Sequence, residues 1–190
     1  QLCEALARQG FVLLEGQAIA AGRSALVQLH LERPIGALHG DRFILRDQSA
    51  LRTLGGGTVL DAFPPDTRRR REQRLAALAA LELPTAAEAL AAALALDPPT
   101  GIDGRQFVAL WNLAEADWRA MLAGVPHRVI ADGPRELLFS PGQMERYAGA
   151  ITGHLGAHHR KKPDSPGLTQ EQLQRGIRDK PAGALFALML

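Results

Sequence analysis

Residues 33–47, RPIGALHGDRFILRD, and residues 51–61, LRTLGGGTVLD, decide how the first third of the chain is read. Pro34 and Gly36 interrupt the stretch before them, and Gly40-Asp41 has the chemistry of a tight turn. Residues 42–46 then alternate with period two, placing Phe43 and Leu45 on one face and Arg42 and Arg46 on the other, the pattern of a half-buried strand. Residues 53–60 read as its successor, with Gly55-Gly56-Gly57 marking either a bulge or a close approach of two backbones. Upstream, residues 11–15 are a short apolar run and residues 27–32 alternate again. Several short strands joined by turns predict an antiparallel sheet or barrel over residues 1–66.

Downstream the character changes. Phe63-Pro64-Pro65-Asp66 neither continues a strand nor starts a long helix, which puts a domain boundary at residues 62–68. Leu75, Leu78 and Leu81 recur at helical spacing up to Pro84, and Thr85-Ala86-Ala87-Glu88 has capping-box form ahead of a helix running to about Leu96. Phe107, Leu110 and Trp111 stripe a third helix, and Trp118, Met121 and Leu122 stripe a fourth across the turn Asn112-Leu113-Ala114, a helix-turn-helix spacing. Residues 128–130 and 136–139 flank Asp132-Gly133 as a β-hairpin. Helices closed by a hairpin predict a winged helix over residues 67–140. Residues 141–190 start the order again: a stripe of Tyr147, Ile151 and Leu155, a loop at 163–167, a second capping box at Thr169-Gln172, a helix through Leu173 and Ile177, and a third helix near Pro181. The expected class is therefore multidomain, mixed α and β, with a partial barrel followed by two winged helices, the second truncated.

Composition bounds the chemistry. The 190 residues are 46% hydrophobic and 22% charged, a globular balance, and no stretch approaches the apolar length of a membrane span. Net charge is +2, with the basic excess confined to residues 144–190, where 7 basic residues face 4 acidic ones. The single Cys3 has neither a disulfide partner nor a CxxC mate, which fits a reducing, cytoplasmic setting. The chain begins at Gln1 without an initiator Met and stops in an apolar run, so we read it as a piece of a longer protein.

Catalytic patterns are not met. The triple glycine is followed by Thr58-Val59-Leu60 and not by the lysine of a phosphate-binding loop, so no nucleotide site is expected here. His154 and His158 have the four-residue spacing of metal ligands but no third ligand, so they read as packed or exposed histidines and the expected metal set is empty. Ser24, Ser49, Ser140 and Ser165 lack a nucleophile-elbow context. No catalytic or cofactor-binding residue is assigned.

Two basic clusters remain, Arg68-Arg69-Arg70-Arg71 with Arg74, and His158-His159-Arg160-Lys161-Lys162. Each reads as a set of phosphate contacts or as a solvated helix end; neither is interleaved with aromatics for base stacking. The fourth helix opens Glu115-Ala116-Asp117-Trp118-Arg119, presenting two acids and an indole, which suits a spacer better than a groove-reading helix. A DNA-binding winged-helix regulator and a purely structural adaptor are the alternatives from residues alone.

The stretches 33–47 and 51–61 resemble the closing strands of the third β-barrel of translation elongation factors of the EF-Tu type. With Gly-Gly-Gly and Asp61-x-Phe63-Pro64-Pro65 they are similar to the bacterial selenocysteine-specific elongation factors. Residues 159–169, HRKKPDSPGLT, are similar to the HxxxPxxPG segment leading into that family's second winged helix. The resemblance implies a cytoplasmic factor that uses GTP and magnesium, bound in a domain outside this chain, to deliver selenocysteinyl-tRNA to the ribosome at UGA codons beside an mRNA hairpin, the SECIS element. It makes this chain the tRNA-facing end of a barrel and the connector toward the mRNA-binding end, with no enzymatic activity of its own. Candidate RNA contacts on this reading are Arg42, Arg46, Arg52, Arg68, Arg69, Arg70, Arg71, His159, Arg160, Lys161 and Lys162.

Overall fold

A computed structural model describes residues 11–14, 18–47, 49, 51–64, 71–177, 186–187 and 190. It divides into two compact units, the first comprising residues 1–82 with 109–112, the second residues 83–108 with 113–190.

In the first unit, β1 (Phe11–Leu13) pairs antiparallel with β2 (Val27–Leu29), and β3 (Arg42–Arg46) pairs antiparallel with β4 (Thr53–Thr58). Among the described residues these are two separate two-stranded sheets. β2 stops at Leu29, short of the expected Glu32, because Leu31, Glu32 and Arg33 turn outward ahead of Pro34. β4 stops at Thr58, although Val59 still exchanges backbone hydrogen bonds with Gly40 and Asp41.

Of the two readings of the triple glycine, the close approach of two backbones holds, while the bulge falls one residue earlier, at Leu54. The register slips between Leu45 and Arg46, which face Gly55 and Thr53 and so leave Leu54 as the extra residue of a bulge. The Phe43 ring lies so close over Gly57 that a Cβ there would meet it at 2.6 Å, and a Cβ on Gly56 would meet the Phe43 carbonyl oxygen at 2.6 Å. Helix α1 (Arg71–Leu81) buries Leu78 and Ala80 and also belongs to this unit.

The second unit starts with α2 (Ala86–Ala95), which buries Ala89, Leu90 and Leu94. Its cap differs from the expected box: the Thr85 hydroxyl accepts from the Glu88 N–H at 3.2 Å but donates to the Glu88 carboxylate at 2.8 Å, so the carboxylate meets the hydroxyl and not the Thr85 amide. A two-residue strand that periodicity could not reveal, β5 (Ile102–Asp103), leads into α3 (Gly104–Trp111), and Asp103 Oδ1 caps that helix by accepting from the Arg105 and Gln106 N–H groups. Asn112, with φ of 49°, turns the chain into α4 (Glu115–Gly124). Trp118 on α4 is buried, its ring 6.0 Å from that of Phe107, so the indole belongs to the core and is not presented to solvent.

Strands β6 (Arg128–Asp132) and β7 (Arg135–Phe139) form the expected hairpin, completing a three-stranded antiparallel sheet in the order β5-β7-β6. The loop residues are Gly133-Pro134, one position later than expected, with Asp132 paired to Arg135. Gly133 carries the positive φ, 58°, that a two-residue hairpin demands at its first loop position. Leu137, Phe139 and Tyr147 form one core cluster.

The 21-residue helix α5 (Pro141–Lys161) starts on the Ser140 hydroxyl, which accepts from the Gln143 N–H. Asp97, held at φ of 49°, clamps this end by accepting from the Ser140 hydroxyl at 2.7 Å and from Arg146. The side-chain amide of Gln143, 1% exposed, donates to the Pro98 carbonyl and to the Tyr147 hydroxyl. Helix α6 (Gln170–Gly176) opens with the complete capping box expected at Thr169-Gln172. Ile151, Leu173, Ile177 and Phe186 form a second cluster there. The helix expected near Pro181 lies outside the described residues.

Candidate nucleic-acid interface

On β3 the pleat separates two kinds of side chain. Phe43 and Leu45 are half-buried, while Arg42, Ile44 and Arg46 alternate along the exposed face, with Ile44 68% exposed between the two arginines. Directly across the pair stand Thr58, Gly56 and Thr53. This face therefore presents two guanidinium groups, one apolar side chain and a glycine that allows close approach.

The adjoining β3–β4 loop brings Arg52 to the surface and is organised by Asp47. Asp47 accepts from the Arg52 N–H at 3.2 Å and from the Ser49 hydroxyl at 3.0 Å, and its own N–H donates to the Arg52 carbonyl at 3.0 Å. The Arg52 N–H holds the Asp47 carboxyl below the ordinary aspartate value, with the Ser49 hydroxyl adding to the effect. Arg52 is thus fixed through its backbone while its guanidinium remains exposed.

Of the arginine run, Arg68, Arg69 and Arg70 lie outside the described residues, and Arg71 is exposed at the first position of α1. Arg74, grouped with them by sequence, turns inward instead. Its guanidinium binds Asp61 at 2.8 Å, with only 13% and 12% of the two side chains exposed, while the other Asp61 oxygen accepts from the Phe63 N–H. Sequence could not show this, since the two partners are 13 positions apart.

In the second unit, His158, His159, Arg160 and Lys161 form the last turn of α5, and Lys162 caps it. His158 is turned inward, its Nε2 3.0 Å from the Ser165 hydroxyl, whose oxygen also accepts from the Gly167 N–H. The His154 ring packs against Gly176 so tightly that a Cβ there would sit 2.2 Å from its Nε2. Histidine 159, Arg160, Lys161 and Lys162 are exposed, and among the described residues no ion pair engages them. On α4, Arg119 binds Glu115 at 2.7 Å across one helical turn.

The candidate contacts therefore fall into two sets. Arg42, Arg46, Arg52 and Arg71 stand on the first unit, and His159, Arg160, Lys161 and Lys162 on the second. Among the described residues no group of His, Cys, Asp and Glu is arranged to hold a metal, and no helix is long and apolar enough to cross a membrane.

Comparison with known proteins agrees with the resemblance carried by residues 33–61. Residues 6–66 match the family described as the selenocysteine-specific elongation factor, beta-barrel domain. The chain is similar to the selenocysteine-specific elongation factor of Escherichia coli (strain K12), 29% identical over 177 residues that cover 87% of this chain and 26% of that protein. It is also similar to the selenocysteine-specific elongation factor of Desulfomicrobium baculatum, 26% identical over 167 residues that cover 86% of this chain and 26% of that protein. The chain thus spans about a quarter of the length of the curated relatives it matches.

Proposed function

We propose that this chain is the segment of a selenocysteine-specific translation elongation factor that joins a tRNA-facing β-barrel to helical modules leading toward the mRNA-binding end. The match of residues 6–66 to the barrel of that factor carries this reading, and the similarity of most of the chain to two such factors supports it. In the whole factor, GTP and magnesium bound in another domain drive delivery of selenocysteinyl-tRNA to the cytoplasmic ribosome at a UGA codon beside the SECIS hairpin. This segment contributes binding and spacing, and no bond is made or broken on it.

Each unit has features suited to that role. Arg42, Arg46 and Arg52 present guanidinium groups to a phosphate backbone, and Gly56 across from Ile44 lets that backbone approach the sheet. The succession of helix, strand, helix, helix and hairpin over residues 86–139, with sheet order β5-β7-β6, supports a winged helix for the module after the barrel. Helices α5 and α6 open a second module. DNA reading by the first fits poorly, because α4 has Glu115 and Asp117 in its first turn, Arg119 bound to Glu115 and Trp118 in the core.

The test is radioselenium incorporation at an in-frame UGA, in cells whose only copy of the factor carries R42A/R46A. Incorporation is expected to fall several-fold at unchanged protein level, as lost phosphate contacts weaken tRNA capture. Unchanged incorporation in R42A/R46A/R52A would remove the barrel face from tRNA binding.

A further inference from the structure

We infer that the C-terminal end of α5, residues 159–162, is a docking surface for the backbone of double-helical RNA, separate from the barrel face. Successive helical residues are about 100° apart, so His159, Arg160 and Lys161 project to three different sides of the helix, and Lys162 leaves it beside them. Cations at a helix C-terminus complement the macrodipole, and one or two suffice for that. Three in succession, Arg160, Lys161 and Lys162, all exposed and none engaged by an ion pair among the described residues, leave a concentration of positive charge that nothing internal consumes.

The surroundings specify the partner. The apolar stripe of α5 is already occupied: Tyr147 and Ile151 are buried, and Leu155 packs against the cluster of Ile151, Leu173, Ile177 and Phe186. An interfacial membrane helix needs that stripe free for the acyl boundary, so a lipid surface is a poor occupant. No Phe, Tyr or Trp lies in residues 158–169, so unstacked bases would find no aromatic platform. A regular phosphate backbone needs neither an apolar face nor aromatics, only cations at the surface.

The end is also held in place. His158 bonded to Ser165 fixes the following loop, and His154 seated on Gly176 fixes α6 against the helix. At its other end α5 is clamped by Asp97, about 31 Å away at 1.5 Å per residue. The cations are therefore presented from a structured platform. The choice of RNA over DNA rests on the reading of the chain as a translation factor; the choice of a phosphate backbone does not.

The experiment is a filter-binding titration of the whole chain with a random-sequence 20-base-pair RNA duplex, repeated over a range of salt. No tRNA is present, so the outcome is independent of whether the barrel face meets tRNA. R160Q/K161Q/K162Q is expected to weaken binding at least about tenfold at 0.1 M salt and to flatten the log–log salt dependence by about 2–3 units. K161R/K162R, which retains the charge, should bind like the parent, and R119Q/R175Q, which removes two exposed arginines elsewhere in the unit, should leave the affinity unchanged. The thermal midpoint of the triple variant should match the parent, since all three side chains are exposed.

Retention of parental affinity and slope by the triple variant would overturn the proposal. So would an equal loss in R119Q/R175Q, which would assign the binding to overall charge. Tighter binding to the same duplex made of DNA, to single-stranded poly-U or to phosphatidylglycerol vesicles would overturn the assignment to RNA helices.

Discussion

A single backbone hydrogen bond sets the acid behaviour of the β3–β4 loop. The Arg52 N–H is donated to ionised Asp47, so the folded-state pKa lies below the ordinary 3.8. A depressed acid stabilises the fold wherever it is ionised in both states, and that contribution is lost as pH falls through 3.8 toward the lowered folded value. D47N should accordingly have a lower thermal midpoint than the parent at pH 7, and the gap between the two midpoints should narrow as the pH falls below 3.8. A gap that persists unchanged at pH 3 would show that the side chain acts without its charge. Gly176 is the other residue whose effect can be isolated. In a helix, Ala in place of Gly ordinarily gains up to about 1 kcal/mol, but here the new Cβ would enter the His154 ring, so G176A should destabilise by about 1–3 kcal/mol. On an H154A background the same substitution should become neutral or stabilising, a reversal of sign visible in urea unfolding.

Two helix starts that look alike in sequence differ at the scale of the element. At α6, Thr169 and Gln172 satisfy each other's backbone donors; at α2, Glu88 turns to the Thr85 hydroxyl and leaves the Thr85 N–H outside the motif. T169A should cost about 1 kcal/mol in urea unfolding. Q172A should cost more than E88A, because only Gln172 holds a backbone donor of its own cap; equal costs would show that the reciprocal bond adds nothing. Sequence resolved those elements whose period persists for a full strand face or two helical turns. Phe43 and Leu45 announced β3, and Trp118, Met121 and Leu122 announced α4. β5 escaped because two residues have no period, and β2 was extended too far because alternation continues to Glu32 after its ladder has ended at Leu29. The hairpin turn was shifted by one because Asp132-Gly133 and Gly133-Pro134 are both plausible turn pairs, and only the ladder from Asp132 to Arg135 distinguishes them.

At the scale of the whole molecule, core is distributed unequally. Among the described side chains of β1–β4, from Val12 onward, none is buried, and the described buried residues of the first unit are Leu78, Ala80 and Leu110. The second unit buries Leu90, Leu138, Phe139 and Gln143 almost completely. L90A should cost about 2–5 kcal/mol in the second unit. The two tryptophans divide between the units, Trp111 in the first and Trp118 in the second, so each unit has its own optical reporter. W118F retains Trp111 and W111F retains Trp118, and the Trp111 fluorescence transition should come at lower denaturant than that of Trp118. Coincident midpoints would mean that the chain unfolds as one cooperative body. The candidate interface was legible in part, because runs of like charge are visible in sequence. Arg42 and Arg46 on one face followed from the strand period, while the inward turn of Arg74 depended on Asp61, which folding alone brings to it.

The first unit is not one continuous stretch of chain. Residues 109–112 belong to it although the sequence on both sides belongs to the second unit; Trp111 stacks on His39 at 3.9 Å, and the His39 N–H donates to the Leu110 carbonyl. No one-site truncation can therefore separate the two units cleanly. A gene shortened to end at residue 82 strips His39 of its aromatic cover, and one that starts at residue 83 produces a protein with an orphaned indole at its surface, a hydrophobic defect that favours self-association during expression.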